Sequence, residues 1–249
     1  VPMQPTTVYT RDRCVTGIHG LDEILRGGIP YGSTVLAAGT CGSGKTTLGR
    51  LLARFSDPTS GAISIGGVSL TRIDNESLRK IVVVVPQEPF LFSDTIATNL
   101  RFVMPQASDQ HLIDAFSNID LQDWFESLPA GLETLVGQRG SQLSAGERQL
   151  VALVRASLVN PSILILDEAT SSVDASTEVR LTRALDKLST GRTTISIAHR
   201  LSTAARADRV LVLDTGVLVQ DGSHNQLVET PGMYSEMYKS WESSHNTTD

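Results

Sequence analysis

Long apolar runs are missing from this 249-residue chain. Segments such as Ile81–Val85 and Ile163–Leu166 fall far short of the ~20 residues that a bilayer-spanning helix needs, so no membrane span is expected. The first residues, Val1-Pro2-Met3-Gln4-Pro5, carry neither a basic stretch nor an apolar one, and no secretory leader is expected from them. Cysteine is scarce: Cys14 and Cys41 make neither a metal-ligand spacing nor a disulfide framework, which suits a reducing, cytoplasmic setting. Lys and Arg form no cluster, and a formal net charge of −6 argues against nucleic acid as a partner. Aromatics amount to only 5%, but a hydrophobic content of 40% is ample for a buried core. This length suits one large α/β domain or two small ones.

What is present centres on one stretch, Gly39-Thr40-Cys41-Gly42-Ser43-Gly44-Lys45-Thr46, which fits the pattern G-x-x-x-x-G-K-[ST]. A strand-like run, Ser33–Ala38, leads into it and a helix-like run, Thr47–Phe55, follows, the context in which the pattern makes a phosphate cradle. Glycines let the backbone curl until several N–H groups face one oxyanion, and the helix adds the positive end of its dipole. Lys45 then reaches the β- and γ-phosphates, and Thr46 holds Mg²⁺ through its hydroxyl. With Thr47 these residues form the expected nucleotide-binding set. Taken alone, the motif also reads as a Gly-rich turn that happens to carry a lysine.

Other residues point the same way. Ile81–Val85 reads as a strand buried on both faces, ending in Pro86-Gln87-Glu88-Pro89. A glutamine there suits contact with Mg²⁺ and an attacking water, although by itself it reads as a solvated turn residue. A second buried strand, Ser162–Leu166, ends in two carboxylates: Asp167 for the Mg²⁺ shell, and Glu168, across the pleat, to polarise water. Carboxylates at the C-terminal edge of a parallel strand face the ligand crevice. His199 follows the apolar run Thr193–Ala198, where an isolated histidine is more often structural than catalytic. Ser144 and Glu147 make a capping box before an apolar helix over Leu150–Leu158, and that N-terminus, with Ser144 and the Gly146 backbone, is a further anion site. Asp174 reads as the N-cap of a helix over Ala175–Leu188. Helical stretches are expected at Ile96–Phe102, Asp109–Phe116 and Leu121–Leu128, a hairpin turning at Gly66-Gly67, and two short strands within Arg209–Val219.

From about residue 51 to 243 these motifs resemble the nucleotide-binding domains of ABC exporters. Val85–Phe92 looks like the Q-loop, Val136–Gly140 like the X-loop with Gln138 in place of glutamate, and Leu143–Gln149 like the signature with Ala145 in place of glycine. Asp167-Glu168 resembles Walker B, Ser171-Ser172-Val173-Asp174 the D-loop, and Ile197–Thr203 the segment that carries the switch histidine, here His199. The resemblance implies an α/β fold: a P-loop NTPase of three α/β/α layers with a mostly parallel central sheet, plus an ABC-type helical subdomain. It implies a single domain over 1–249, with 51–92 and 160–249 as the core and 93–159 as the helical subdomain. ATP and Mg²⁺ are the implied ligands. Glu168, His199, Gln87 and Lys45 are the implied catalytic set; Gly39, Thr40, Cys41, Gly42, Ser43, Gly44, Lys45, Thr46, Thr47, Ser144, Gly146 and Asp174 hold the nucleotide; and Thr46, Gln87 and Asp167 hold the metal. The implied partners are a second copy or homologous domain, in a head-to-tail dimer with ATP between one Walker A and the other's signature, and exporter transmembrane domains at the cytoplasmic face of the membrane. In that family the helical subdomain receives the transmembrane coupling helix.

The segment Thr16–Ser33, within residues 1–50, resembles instead the lead-in to the P-loop of RecA-like ATPases of the KaiC and RadA type. A chimera joined near the shared P-loop is therefore expected. The antiparallel strands that open an ABC domain are not recognisable, so the Ala62–Leu70 hairpin is expected to lack its partner strands. Tyr9 and Tyr31 are the nearby aromatics that could stack on adenine. Two further readings stand beside this one: a nucleotide-binding fold that neither pairs nor hydrolyses, and a RecA-like protein acting on DNA, which the acidic charge disfavours.

Cys41 sits inside the phosphate cradle, where positive potential favours its thiolate, although it reads equally as a small residue at a variable loop position. The electrostatic reading predicts that ATP slows modification of Cys41 by a thiol reagent, measured by mass spectrometry; labelling indifferent to ATP would contradict it.

Overall fold

The structure, a computed structural model, describes residues 13–15, 29–40, 42–167, 174–197 and 201–245. Strands β1 (Arg13–Val15) and β2 (Ile29–Pro30) precede β3 (Thr34–Ala38), an aliphatic strand buried from Val35 to Ala38. Helix α1 (Lys45–Leu52) follows the glycine loop and lays Leu48, Gly49 and Leu52 inward. Strands β4 (Ser64–Ile65) and β5 (Val68–Ser69) turn at Gly66 and Gly67, whose φ of 57° and 79° are the positive values that a two-residue type I′ hairpin requires. Asp74 caps α2 (Asn75–Ile81) by accepting from the Ser77 amide; this helix and β6 (Val82–Val85) share the run expected to be strand alone.

A helical stretch comes next, each helix opened by its own cap where the chain offers one. Thr95 starts α3 (Ile96–Arg101) and Ser108 starts α4 (Asp109–Asn118), while α5 (Gln122–Ser127) has no side-chain cap. Helix α6 (Ala145–Val159) opens on a complete capping box: Ser144 Oγ accepts from the Glu147 amide at 3.2 Å and Glu147 Oε2 from the Ser144 amide at 2.8 Å. Then follow β7 (Ile163–Asp167), α7 (Ala175–Ser189) capped by Asp174, β8 (Thr193–Ile197), the β9 (Arg209–Asp214) and β10 (Val217–Gly222) hairpin, and α8 (His224–Glu229) and α9 (Met233–His245).

Among the described residues the larger sheet runs β10-β9-β3-β8-β7-β6, parallel throughout except for the antiparallel β10 edge. Its register decides where function can sit. Ala37 pairs with Ile197, Ile197 with Asp167, and Leu166 with Val85, so β3, β8, β7 and β6 all finish at one level. Everything that leaves their C-terminal ends shares one crevice.

A second sheet, β2-β1-β4-β5, is antiparallel, with Cys14 opposite both Ile29 and Ile65. The expectation that the Ala62–Leu70 hairpin lacks partner strands is corrected. Its partner is β1, which pairs in turn with β2; these strands are three and two residues long, too short to print an alternating pattern in the sequence.

Apolar side chains alternate across β3: Val35 and Ala37 pack with α1 and the small-sheet side, Leu36 and Ala38 with Val210, Val212 and the C-terminal helices. The largest cluster joins α3 to α7 with the outer strands, running from Leu91 and Trp124 through Leu150 to Leu164 and Leu188 without a break. Arg180 and Arg183 of α7 add ion pairs to Asp123 and Asp120 at 3.0 and 3.4 Å. No helix among the described residues is long and apolar enough to cross a membrane.

Gly49 lets α1 lie close on the sheet, since a Cβ there would sit 2.8 Å from Ile197 Cδ1 and 3.4 Å from Ile165 Cγ2. Gly49→Val is expected to lower stability by about 1–3 kcal/mol through overpacking, seen as a drop in the urea midpoint at unchanged slope.

Candidate functional site

At the crevice, β3 ends in Gly39 with φ +148°, and a Cβ on it would lie 2.2 Å from the Leu213 carbonyl oxygen and 2.6 Å from Ser43 Oγ. Only glycine fits. Gly42 and Gly44 also hold positive φ, 79° and 98°, so the chain curls back before Gly44 caps α1. The curl is pinned from outside as well: the Gly216 amide at the β9–β10 turn donates to the Ser43 carbonyl at 3.0 Å.

Lys45, 4% exposed, is drawn into this loop. Its Nζ donates to the Gly39 carbonyl at 2.6 Å and the Thr40 carbonyl at 2.9 Å, with Ser43 Oγ at 3.5 Å. An ammonium held by the loop's own carbonyls stands where the phosphates of a polyanion in the same loop would meet it. Thr46 and Thr47 are exposed on the first turn of α1. The residues therefore fit a nucleoside triphosphate: a cradle that a single Cβ would fill, amides freed by glycine, and a buried cation.

Asp167 ends β7 two strands away from β3, about 10 Å by ordinary strand spacing, a gap that a hydrated cation and phosphate oxygens would span. Gln87 leaves β6 at the same edge and is exposed. The structure thus brings Gly39, Thr40, Gly42, Ser43, Gly44, Lys45, Thr46, Thr47, Asp167 and Gln87 to one edge of the sheet. Glu168, His199 and Cys41 lie outside the described residues, as do Tyr9 and the D-loop before Asp174.

Ser144 is exposed and Gly146 buried at the start of α6. Asp174 is exposed and serves as the N-cap of α7, where the Ser176 hydroxyl and the Thr177 amide hold its carboxyl down at about 2, so it stays anionic at neutral pH. Tyr31 corrects an expectation. The neighbouring Gly32 amide donates to Thr193 Oγ1 at 3.0 Å, at the first residue of β8. Tyr31 therefore lies at the opposite end of the sheet from the phosphate loop and cannot stack on a base held there.

The roles of three residues escaped sequence reasoning. Gln149, buried within α6, donates through Nε2 to the Pro86 carbonyl at 3.0 Å and to the Gln87 carbonyl. Half-buried Arg155 donates to the Phe90 carbonyl at 2.7 Å, the Asn99 carbonyl at 2.9 Å and Asn99 Oδ1 at 2.7 Å, and burial pushes its guanidinium down to about 10. Asn99, fully buried, accepts from the Phe92 amide and donates to the Phe92 and Thr95 carbonyls. No sequence signal finds these bonds, which span up to 65 positions.

A glycine-walled loop around a buried lysine, at the C-terminal edge of a parallel sheet that also ends in an aspartate, defines a P-loop NTPase. Comparison with known proteins narrows the class. The ABC transporter family model matches residues 23–171. Over 211 residues the chain is 45% identical to the uncharacterized ABC transporter ATP-binding protein YknV of Bacillus subtilis, covering 85% of this chain and 35% of that protein. Over 208 residues it is 45% identical to the ATP-dependent lipid A-core flippase of Bordetella avium, covering 83% and 35%. A solved bacterial Atm1-family ABC exporter with ATP bound superposes with a TM-score of 0.77 at 43% identity, over 84% of this chain and 37% of that one. The chain belongs to the ABC transporter family, as an ATP-binding, ATPase-type domain of the exporter kind, and it spans about a third of the length of these relatives.

Gly39→Ala is expected to weaken nucleotide binding at least tenfold, whereas Gly42→Ala, whose Cβ meets nothing within 4 Å, loses only the roughly 1 kcal/mol of a strained φ. Titration with a fluorescent ATP analogue, alongside thermal melts, measures both.

Proposed function

We propose that this domain binds and hydrolyses ATP with Mg²⁺ while pairing head to tail with a second domain of its kind, as the ATP-driven part of an exporter. The observation that carries the reading is the Lys45 ammonium buried in the glycine loop, level in the sheet with Asp167 and with the strand that leads to Gln87. In it, Lys45 and the amides of the loop hold the β- and γ-phosphates. Glu168 accepts the proton of the attacking water, with His199 and Gln87 orienting it. Bound at Thr46, Asp167 and Gln87, Mg²⁺ would neutralise charge on the phosphates. Ser144 and the Gly146 backbone, at the positive end of α6, close over the nucleotide of the partner domain, with Asp174 on the same face.

Residues 51–92 and 160–249 act as the core in this reading, and 93–159 as the helical subdomain. Phe90, Phe92 and Phe102, 59%, 38% and 64% exposed, with Phe90 edge-on to Phe92 at 5.1 Å between centroids and Phe102 tilted against Phe92 at 4.8 Å, support docking of a transmembrane domain's helix where the core meets that subdomain, at the cytoplasmic face of the membrane. The motif Thr16–Ser33 supports the finer reading that a RecA-like lead-in has been joined to an ABC body. A second reading is a nucleotide-binding fold that neither pairs productively nor hydrolyses; Tyr31, at the far end of β3 from the loop, supports the weak base contact that goes with it.

Glu168→Gln is expected to retain ATP binding and to lose turnover by ~10²–10⁴, the usual effect of removing a general base. In a phosphate-release assay of the parent chain, activity per molecule rises with protein concentration if two domains act together; unchanged turnover in the variant overturns the role of Glu168, and absent turnover at every concentration selects the second reading.

A further inference from the structure

Two helices bring their first turns to the partner domain in the function proposed above: α6, with Ser144 and Gly146, and α7, with its cap Asp174. The short helix α5 is tied to both. Its Asp123 carboxylate pairs with Arg180 of α7 at 3.0 Å and with Arg183 at 3.5 Å, and the next residue, Trp124, donates its indole N–H to Glu147 Oε1 of α6 at 3.4 Å.

Trp124 is 1% exposed, and its ring packs on that of fully buried Phe116, with 5.8 Å between centroids. Packing alone does not ask for a tryptophan. A phenylalanine would fill an apolar site without bringing a donor that burial obliges to find a partner. That partner is the residue which closes the cap of α6. Half-buried Glu147 accepts from the Ser144 amide through Oε2 and from the indole through Oε1, so its two oxygens serve two donors. A capping box by itself needs no charge, because glutamine serves at that position as glutamate does. Glutamine, however, has one oxygen for the two donors and would turn its own N–H group against the indole. The carboxylate and the indole therefore account for each other.

We propose, resting on the head-to-tail pairing under Proposed function, that Trp124 is a positioning residue: through Glu147 it fixes the first turn of α6 relative to α7, and so sets how well Ser144 and Gly146 meet the nucleotide of the partner domain. Being buried, Trp124 touches no nucleotide itself.

The protein concentration at which turnover per molecule reaches half its maximum, at saturating ATP and Mg²⁺, tests this, alongside the affinity of the dilute chain for a fluorescent ATP analogue. Trp124→Phe, which keeps a ring and loses the donor, is expected to raise that concentration roughly tenfold, the effect of losing one charge-assisted bond, with analogue affinity within about twofold of the parent. Glu147→Gln, which keeps the cap, is expected to do the same, and it carries the test should the tryptophan variant fail to fold. Both changes together still raise the midpoint by about tenfold rather than about a hundredfold, because the second has no bond left to remove. A midpoint that stays at the parent value in either single variant overturns the proposal. So does a double variant in which the two effects multiply, or a loss of analogue affinity that accounts for the shift, since these mark separate injuries to packing. A parent chain whose turnover per molecule is the same at every concentration fails at the earlier step, and takes the pairing reading down with this one.

Discussion

A cation taken out of water sets the terms for everything around it. Lys45 cannot sit 4% exposed unless its loop turns carbonyls toward it, and the loop cannot turn that way unless Gly39, Gly42 and Gly44 adopt dihedrals that a side chain resists. Those dihedrals are held by what surrounds them: the Leu213 carbonyl against Gly39, the Gly216 amide on Ser43, and α1 pressed on the sheet through Gly49. The cost of burying charge is thus spread over β3, β9 and α1. A triphosphate would bring its negative charge to amides and an ammonium already in place.

The sheet supplies the second constraint. Parallel strands that end level present their following loops to one crevice, so residues from four distant stretches of chain meet without any one of them needing a special conformation. This is why Asp167 and Gln87 reach the edge that Gly39 occupies, although they come from different strands. Capping adds direction. Helix α6 is started by reciprocal bonds of Ser144 and Glu147, which fix where its positive end points.

Legibility in the sequence followed range. The glycine loop, the aliphatic strands, Asp174 as a cap and the Ser144–Glu147 box were readable because each is settled by contacts a few residues apart. The strands β1 and β2 were not, being too short to alternate, and so the hairpin at Gly66 was read as lacking partners that it has. Helix α2 was hidden by its neighbour, since Ile81 and the valines after it form one apolar run in which only the Asp74 cap marks a boundary. Tyr31 misled because nearness in sequence to the loop is not nearness in space: a whole strand lies between them. Gln149 closes the signature-like run, yet neither it nor Asn99 and Arg155 carries a local mark of these bonds, because most of their partners are backbone atoms whose identity the side-chain code does not record.

The hairpin β9–β10 has a role larger than its size. Its tip touches the phosphate loop through Gly216, its base is locked by a bidentate bond between Arg209 and Asp221, and its outer strand supports Tyr234 through Gln220. The C-terminal helices therefore stand one rigid lever away from the nucleotide. A neighbour that leaned on α9 would press, through Gln220 and the hairpin, on the backbone that pins the phosphate loop, without touching a single residue of the crevice.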